Sequence, residues 1–323
     1  MKKIIILAGA IALFLGCTNE ENVTQSSNDL KDVFAQAGPI AVGTLDNISF
    51  RDYVVPGTTN AVYWKAGDEI ALVQDDNGTF QGSGNHHPFT YDNSKGLQEL
   101  ICKGHFTRNT AEDHEGGTIT GGDYIVVYPY GLYSQEQYTL NGGKLHFNFP
   151  QTQTQLSQTQ LSNGSLDNFG PTDFMYSNLF PVLQKEFNND FTEQTGSAVF
   201  QFQHAMTWLN VNVKGFNTDE IITSIVVNCY ESPGFFSAIE LAPDLTPTFV
   251  NPKTSVTLNT NNYKMSVSET YYCWITINKL APGTVFDINV NTSEGSWDFQ
   301  KTAPASGLLV NTVYPTTLTL PPH

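Results

Sequence analysis

Apolar and polar residues alternate from Ala198 to Val213. Phe200, Phe202, His204, Met206 and Trp208 share one face of an extended strand, with Gln201, Gln203 and Thr207 on the other. A period of two is the mark of a half-buried β-strand. At Trp208-Leu209 the phase slips by one, after which Leu209, Val211 and Val213 carry the apolar face. With no turn residue at the slip, the pattern predicts a β-bulge, or a strand bending from one sheet region into another. Fully extended, this stretch spans roughly 50 Å at about 3.3 Å per residue, too long for a peripheral strand. It is expected to be the central strand of the second half and the join to the first.

Shorter segments of the same kind lie on both sides. Upstream are Ile40 with Val42, Ile48 with Phe50, Val62 to Val73 about a Gly67-Asp68 turn, Phe89 to Tyr91, Leu97 to Cys102 and Tyr124 to Tyr128. Asn77-Gly78 and Asn141-Gly142-Gly143 are hairpin signals, and odd positions from Leu145 to Phe149 are expected to face inward. The Gln-rich run Pro150 to Gln160 predicts a loop or an exposed edge. Downstream, strands are expected at Ile221 to Tyr230, Ser255 to Leu258, Lys264 to Val267, Tyr272 to Ile277, Thr284 to Val290, Ser296 to Gln300 and Thr316 to Leu320. Apart from a brief helical turn expected near Asp29 to Ala37, no helical period persists. Short strands punctuated by Gly, Pro and Asn predict an all-β chain of two β-sandwich domains, residues 38–190 and 191–323.

Ahead of these lies a polar stretch, 17–37, that reads as a tether, and before it residues 1–16 read as a signal peptide. Lys2-Lys3 forms a basic start, and the apolar run Ile4 to Leu15 is too short to span a bilayer. Gly16-Cys17 then precedes polar Thr18 to Asn22, which resembles a bacterial lipoprotein signal with Cys17 as the acylated residue. Acyl chains at Cys17 would anchor the chain to the outer membrane, each buried methylene contributing about 0.8 kcal/mol. Glu20-Glu21 is similar to signals that direct lipoproteins to the cell surface.

Composition narrows the function classes. The 323 residues are 40% apolar and 12% aromatic, which suits a globular sheet protein rather than a disordered one. A net charge of −16 argues against nucleic acid and bare anionic membrane as partners. With Cys17 lipidated, Cys102, Cys229 and Cys273 remain. Cys229 and Cys273 lie on strand-like segments, where a disulfide and two buried free thiols are the alternatives.

Catalytic signatures are missing: there is no Gly-x-Ser-x-Gly, Cys-x-x-Cys, Gly-x-Gly-x-x-Gly or P-loop pattern. His114-Glu115-Gly116-Gly117-Thr118 fails the zinc-protease pattern at its fifth position. His86, His87 and His105 have no carboxylate or thiol at metal-ligand spacing, and Asp75-Asp76-Asn77 lacks the alternating ligands of a calcium loop. The expectation is therefore no enzyme, no cofactor and no metal. His204, on an apolar face, reads as a hydrogen-bonded core histidine. Trp64, Trp208 and Trp274 read as core, and Trp297 as the one exposed tryptophan.

Trp64-x-x-Gly67-Asp68-x-Ile70, Tyr128-Pro129-Tyr130, Phe149-Pro150 with its Gln-rich run and Asp173 to Ser177 follow one another in a recognisable order. Phe202-x-His204-Ala205 and the closing Gly307 to Tyr314 continue it. The whole resembles the fimbrillin-like (Mfa-like) family, lipoprotein-derived type V pilins of anaerobic Gram-negative bacteria. The resemblance implies two tandem transthyretin-like β-sandwich domains after a lipoprotein signal peptide. It also implies a structural or accessory subunit of surface fimbriae that contributes to adhesion, with other fimbrial subunits or a host surface ligand as partners.

In that family a trypsin-like protease cuts after a basic residue beyond the first strand. Arg51-Asp52 is the matching position here, and Ile40, Val42, Ile48 and Phe50 would mark the strand removed. A strand of the next subunit then fills the groove, satisfying its backbone groups. The alternative is that Arg51 is an ordinary surface residue. Polymerising members tend to carry a C-terminal donor extension, whereas here only Pro321-Pro322-His323 follows Leu320. That departure leaves a second expectation, a non-polymerising surface lipoprotein that binds glycan or host ligand.

Overall fold

The computed structural model describes residues 32–37, 41–45, 64, 67–81, 86–92, 103–108, 119, 122–129, 138–154, 172–182, 199–231 and 234–321. As the alternation requires, these form strands and no α-helix. In the first half they are β1 (Asp32–Ala37), β2 (Ala41–Val42), β3 (Glu69–Asp75), β4 (His86–Tyr91), β5 (Lys103–Arg108), β6 (Gly122–Tyr128), β7 (Tyr138–Asn141), β8 (Lys144–Asn148), β9 (Thr152–Thr154), β10 (Met175–Ser177) and β11 (Phe180–Val182). The second half contributes β12 (Val199–His204), β13 (Thr207–Lys214), β14 (Ile221–Asn228), β15 (Phe235–Leu241), β16 (Pro247–Lys253), β17 (Ser255–Lys264), β18 (Tyr271–Ile277), β19 (Val285–Thr292), β20 (Ser296–Thr302) and β21 (Thr312–Thr319).

One sheet has the order β10-β12-β1-β5-β4-β3-β6-β11 and returns on itself, because β10 also pairs with β6. Where β10 gives way to β11 the ladder is interrupted, and the Val126 N–H donates to Ser177 Oγ at 2.8 Å instead. Alternate residues point into this curled sheet, among them Val33 and Ala35 of β1, Ile70 and Leu72 of β3, and Phe200 and Phe202 of β12. Trp64 packs edge-on against Phe106, Tyr128 and Phe202. Gly104 makes room for it, since a Cβ there would lie 2.5 Å from Trp64 Cδ1.

The outer face of β3 and β6 is buried too. Ala71, Val73, Ile125 and Val127 join a second core with Leu145 and Phe147 of β8 and the interiors of the other sheets. Double burial explains why β3 and β6 read as near-continuous apolar runs. Those other sheets have the orders β18-β13-β21-β2, β20-β19-β14-β17-β9 and β16-β15-β8-β7. Strand membership crosses the midpoint of the chain, for β12 sits in the first sheet while β8 and β9 pair with β15 and β17.

Gln153 of edge strand β9 turns inward and is buried. Its amide donates to the Thr276 carbonyl at 2.6 Å and accepts from the Thr276 N–H at 2.9 Å, clasping β18 across the layer. The β9 edge of one sheet therefore lies over the β18 edge of the other, which puts β20 and β2 at the opposite end.

Several local expectations change. The stretch Ala198 to Val213 is two strands, β12 and β13, in different sheets, so the sheet-to-sheet alternative is the one realised. The break falls at Ala205-Met206, three residues before the phase slip, where Ala205 N donates to Phe174 O and Met206 O accepts from Asn311 N. Asp32–Ala37 is a strand where a helical turn was expected, because two partner strands satisfy its backbone. The β15–β16 hairpin is not among the strands expected; β16 carries Pro247 and Pro252 and is an edge strand, where proline is tolerated. Trp297 is half-buried against the core rather than exposed, since the alternation of β20 turns it inward with Phe299. Cys229 and Cys273 are both buried free thiols.

Candidate functional site

Residues 32–45 take an unusual path. β1 lies between two strands, parallel to β12 from Phe34↔Val199 to Ala37↔Phe202 and antiparallel to β5 from Asp32↔Thr107 to Gln36↔Lys103. Val33 and Ala35 face the interior, while Gln36 accepts a side-chain hydrogen bond from Gln201 at 3.3 Å. Ala35 is opposite Gly104, the residue that yields space to Trp64, so small side chains are needed on both strands there.

The segment then passes to the second group of sheets. β2 pairs in parallel with β21, Ala41 opposite Thr312 and Val42 opposite Val313. Ala41 N donates to Asn311 O and Gly43 N to Val313 O, each at 2.9 Å. Gly43 crosses the face of Tyr314 so closely that a Cβ would sit 2.1 Å from the ring. Tyr314 is itself pinned: its hydroxyl accepts from Leu309 N at 2.9 Å and donates to Gly307 O at 3.2 Å. Leu45 packs half-buried against the core beyond. The N-terminal segment thus runs alongside β12 and β13 through both sheets, directly beside β12 and with β21 between it and β13.

This seat consists of main-chain pairing, with the small side chains of Val33 and Ala35 turned to the interior. At its junction His204 ends β12. Its Nδ1 lies 2.9 Å and 3.1 Å from the two carboxylate oxygens of Asp173, so it carries the proton and donates. Both residues are buried, and the Trp208 ring meets His204 edge-on at 5.0 Å. His204 is thus a hydrogen-bonded core histidine fixing the start of β10 to the end of β12. Among the described residues no three His, Cys, Asp or Glu side chains converge as metal ligands.

Of the residues singled out in the sequence, Val42 falls in β2, the edge strand beside β21. Cys17, Ile40, Ile48, Phe50, Arg51 and Asp52 lie outside the described residues. The other arginine, Arg108, ends β5 opposite Phe89. Sequence reasoning missed β1. Its signal was the pair Val33 and Ala35, spaced by two and closed by Gly38-Pro39.

No protein-family model matches the chain, and no curated protein matches it either. Solved structures do. A candidate cell adhesion protein from Bacteroides uniformis aligns over 92% of this chain and 94% of its own at 16% identity, with a TM-score of 0.50. A second candidate cell adhesion protein, from Bacteroides ovatus, aligns over 90% and 92% at 11% identity and a TM-score of 0.48. A fimbrial protein from Bacteroides ovatus matches 92% of this chain and 49% of its own at 12% identity, with a TM-score of 0.38. Such identities speak to fold alone. The chain is similar in fold to the Bacteroides uniformis protein along almost its whole length, and that likeness agrees with the fimbrillin-like resemblance of its sequence motifs.

Proposed function

We propose that this chain is a fimbrillin-like surface protein, delivered to the surface on a lipid anchor at Cys17, and a structural or accessory subunit of fimbriae that contributes to adhesion. Its mechanism is strand complementation. Cleavage between Arg51 and Asp52 releases the segment that holds β1 and β2, and a strand from another fimbrial subunit takes the vacated seat. The observation that supports this most is the position of β1 in the interior of its sheet, between β12 and β5. Its loss would leave two facing rows of backbone N–H and C=O groups without partners, and would uncover the core beneath Val33 and Ala35. An incoming strand repairs both at once, while an unfilled gap is an aggregation-prone edge. The seat fits this use because the segment reaches it from the chain's own N-terminal side, and one cut frees both strands.

The test is to digest the folded full chain with an arginine-specific protease and follow it on gels without boiling. The proposal expects loss of the segment up to Arg51 and a ladder of heat-sensitive multimers, suppressed by excess peptide covering residues 29–45. A cut chain that stays monomeric, or that unfolds despite added peptide, would refute it.

A further inference from the structure

The β20-β19-β14-β17-β9 sheet buries one face, while on the other the outward positions of β14 and β19 are half-buried and those of β20 exposed. Ile225, Val227, Ile288 and Val290 on the inner face are fully buried. The intervening outward positions form three cross-strand rows, in register at Ser224↔Asn291↔Ser296, Val226↔Asn289↔Asp298 and Asn228↔Asp287↔Gln300. On β17 and β9 the rows continue with serine, threonine and asparagine, for example Thr257 opposite Thr152. Across these rows there is no Lys, Arg, Glu or aromatic side chain.

The side chains are tied to one another. Asn228 donates to Asn289, and Asn289 donates to Asp298 on the next strand. Asn291 donates to Ser224 at 2.9 Å and accepts from Ser296 at 2.7 Å. Lateral bonds of this kind fix amide rotamers before any ligand arrives, which lowers the entropy lost on binding. Asn228 Oδ1 and the second Asp298 oxygen take no part in these lateral bonds.

The chemistry of the face selects its partner. A protein interface concentrates its energy in Trp, Tyr and Arg set in an apolar centre, and the three rows carry none. Nucleic acid and anionic membrane need cations, and here the only charges are Asp287 and Asp298. An uncharged molecule dense in hydroxyl groups, which both donate and accept, complements fixed amides and hydroxyls across a flat surface. We propose that this outward face binds a neutral glycan. The inference goes beyond strand complementation and does not rest on it, since the face is remote in sequence from residues 32–45 and belongs to a different sheet.

The test is affinity electrophoresis of the full chain through native gels containing mannan, dextran, xylan or galactan. The proposal expects retardation in at least one gel. Asn289→Ala with Asn291→Ala should weaken it about tenfold or more, as expected for losing hydrogen bonds at two amides. Thr257→Arg, which removes none of the lateral bonds named above, should block it by bulk and charge, and a retained melting temperature shows that either variant is folded. Unretarded migration in all four gels, or retardation that both variants keep, would overturn the proposal. Neither result bears on whether the chain is cut at Arg51.

Discussion

Replacing Gly43 with alanine puts a methyl group into the ring of Tyr314. The added Cβ would stand 2.1 Å from Cε1 and 2.6 Å from both Cδ1 and Cζ, far inside contact distance. Overpacking of this kind costs about 1–3 kcal/mol. The strain has two outlets. If the ring moves, it gives up its bonds to Leu309 N and Gly307 O within a buried site. If the segment lifts, Ala41 N and Gly43 N leave their acceptors on β21 but regain water, each bond being worth about 0.5–1.5 kcal/mol net. Exposed Ala41 and Thr44 make lifting the cheaper outlet. The population in which β2 is detached should then rise by about 5–150-fold, at tenfold per 1.4 kcal/mol. Hydrogen exchange read by mass spectrometry on a peptide covering residues 41–45 measures this directly. The expected result is faster exchange there, with protection of β13 and β18 unchanged. Unchanged exchange over 41–45, or new exchange at Leu309 instead, would refute the reasoning.

Three further outcomes follow from the geometry. Gln153→Leu strands the N–H and C=O of Thr276 and should cost about 2–4 kcal/mol in urea denaturation, counting about 1–2 kcal/mol for each orphaned group. Asp173→Ala removes the partner of buried His204 and should destabilise by about 1–3 kcal/mol in the same assay. Burial raises the thiol of Cys273 above its ordinary 9.0 and the phenol of Tyr271 above its ordinary 10.0. Both groups lose their protons sooner in the unfolded chain, so the stability they contribute is complete below those values and lost as pH climbs past 9.0 and then 10.0. The urea midpoint should fall over that alkaline range, and Cys273→Ala should shrink the part of the fall that begins first, to which buried Cys229 also contributes.

Much of the fold was legible because period-two alternation is a direct image of a half-buried strand. Leu145, Phe147 and Phe149 face inward as their spacing requires. The turns were equally plain: Asn77 and Gly78 both have positive φ, 52° and 79°, as do Gly142 and Gly143 at 58° and 78°. Pairing between distant segments was not legible. Nothing local indicates that Asp32–Ala37 lies beside Val199–His204, because the small Ala35 acquires meaning only opposite Gly104, which makes room for Trp64. Gln153 shows the same limit, reading as one polar residue in a Gln-rich run until Thr276 supplies both of its partners. The outward polar face of β14, β19 and β20 was hidden because β14 lies far in sequence from the β19–β20 hairpin that continues it.

The central claim concerns what becomes of the N-terminal segment, and the N-terminus of the protein recovered from intact cells tests it most directly. Mass spectrometry should find chains beginning at Asp52, enriched in the multimeric fraction. Chains that begin at acylated Cys17 in every fraction would keep β1 and β2 in their seats. That result would contradict assembly through this seat and leave a fixed surface lipoprotein in its place.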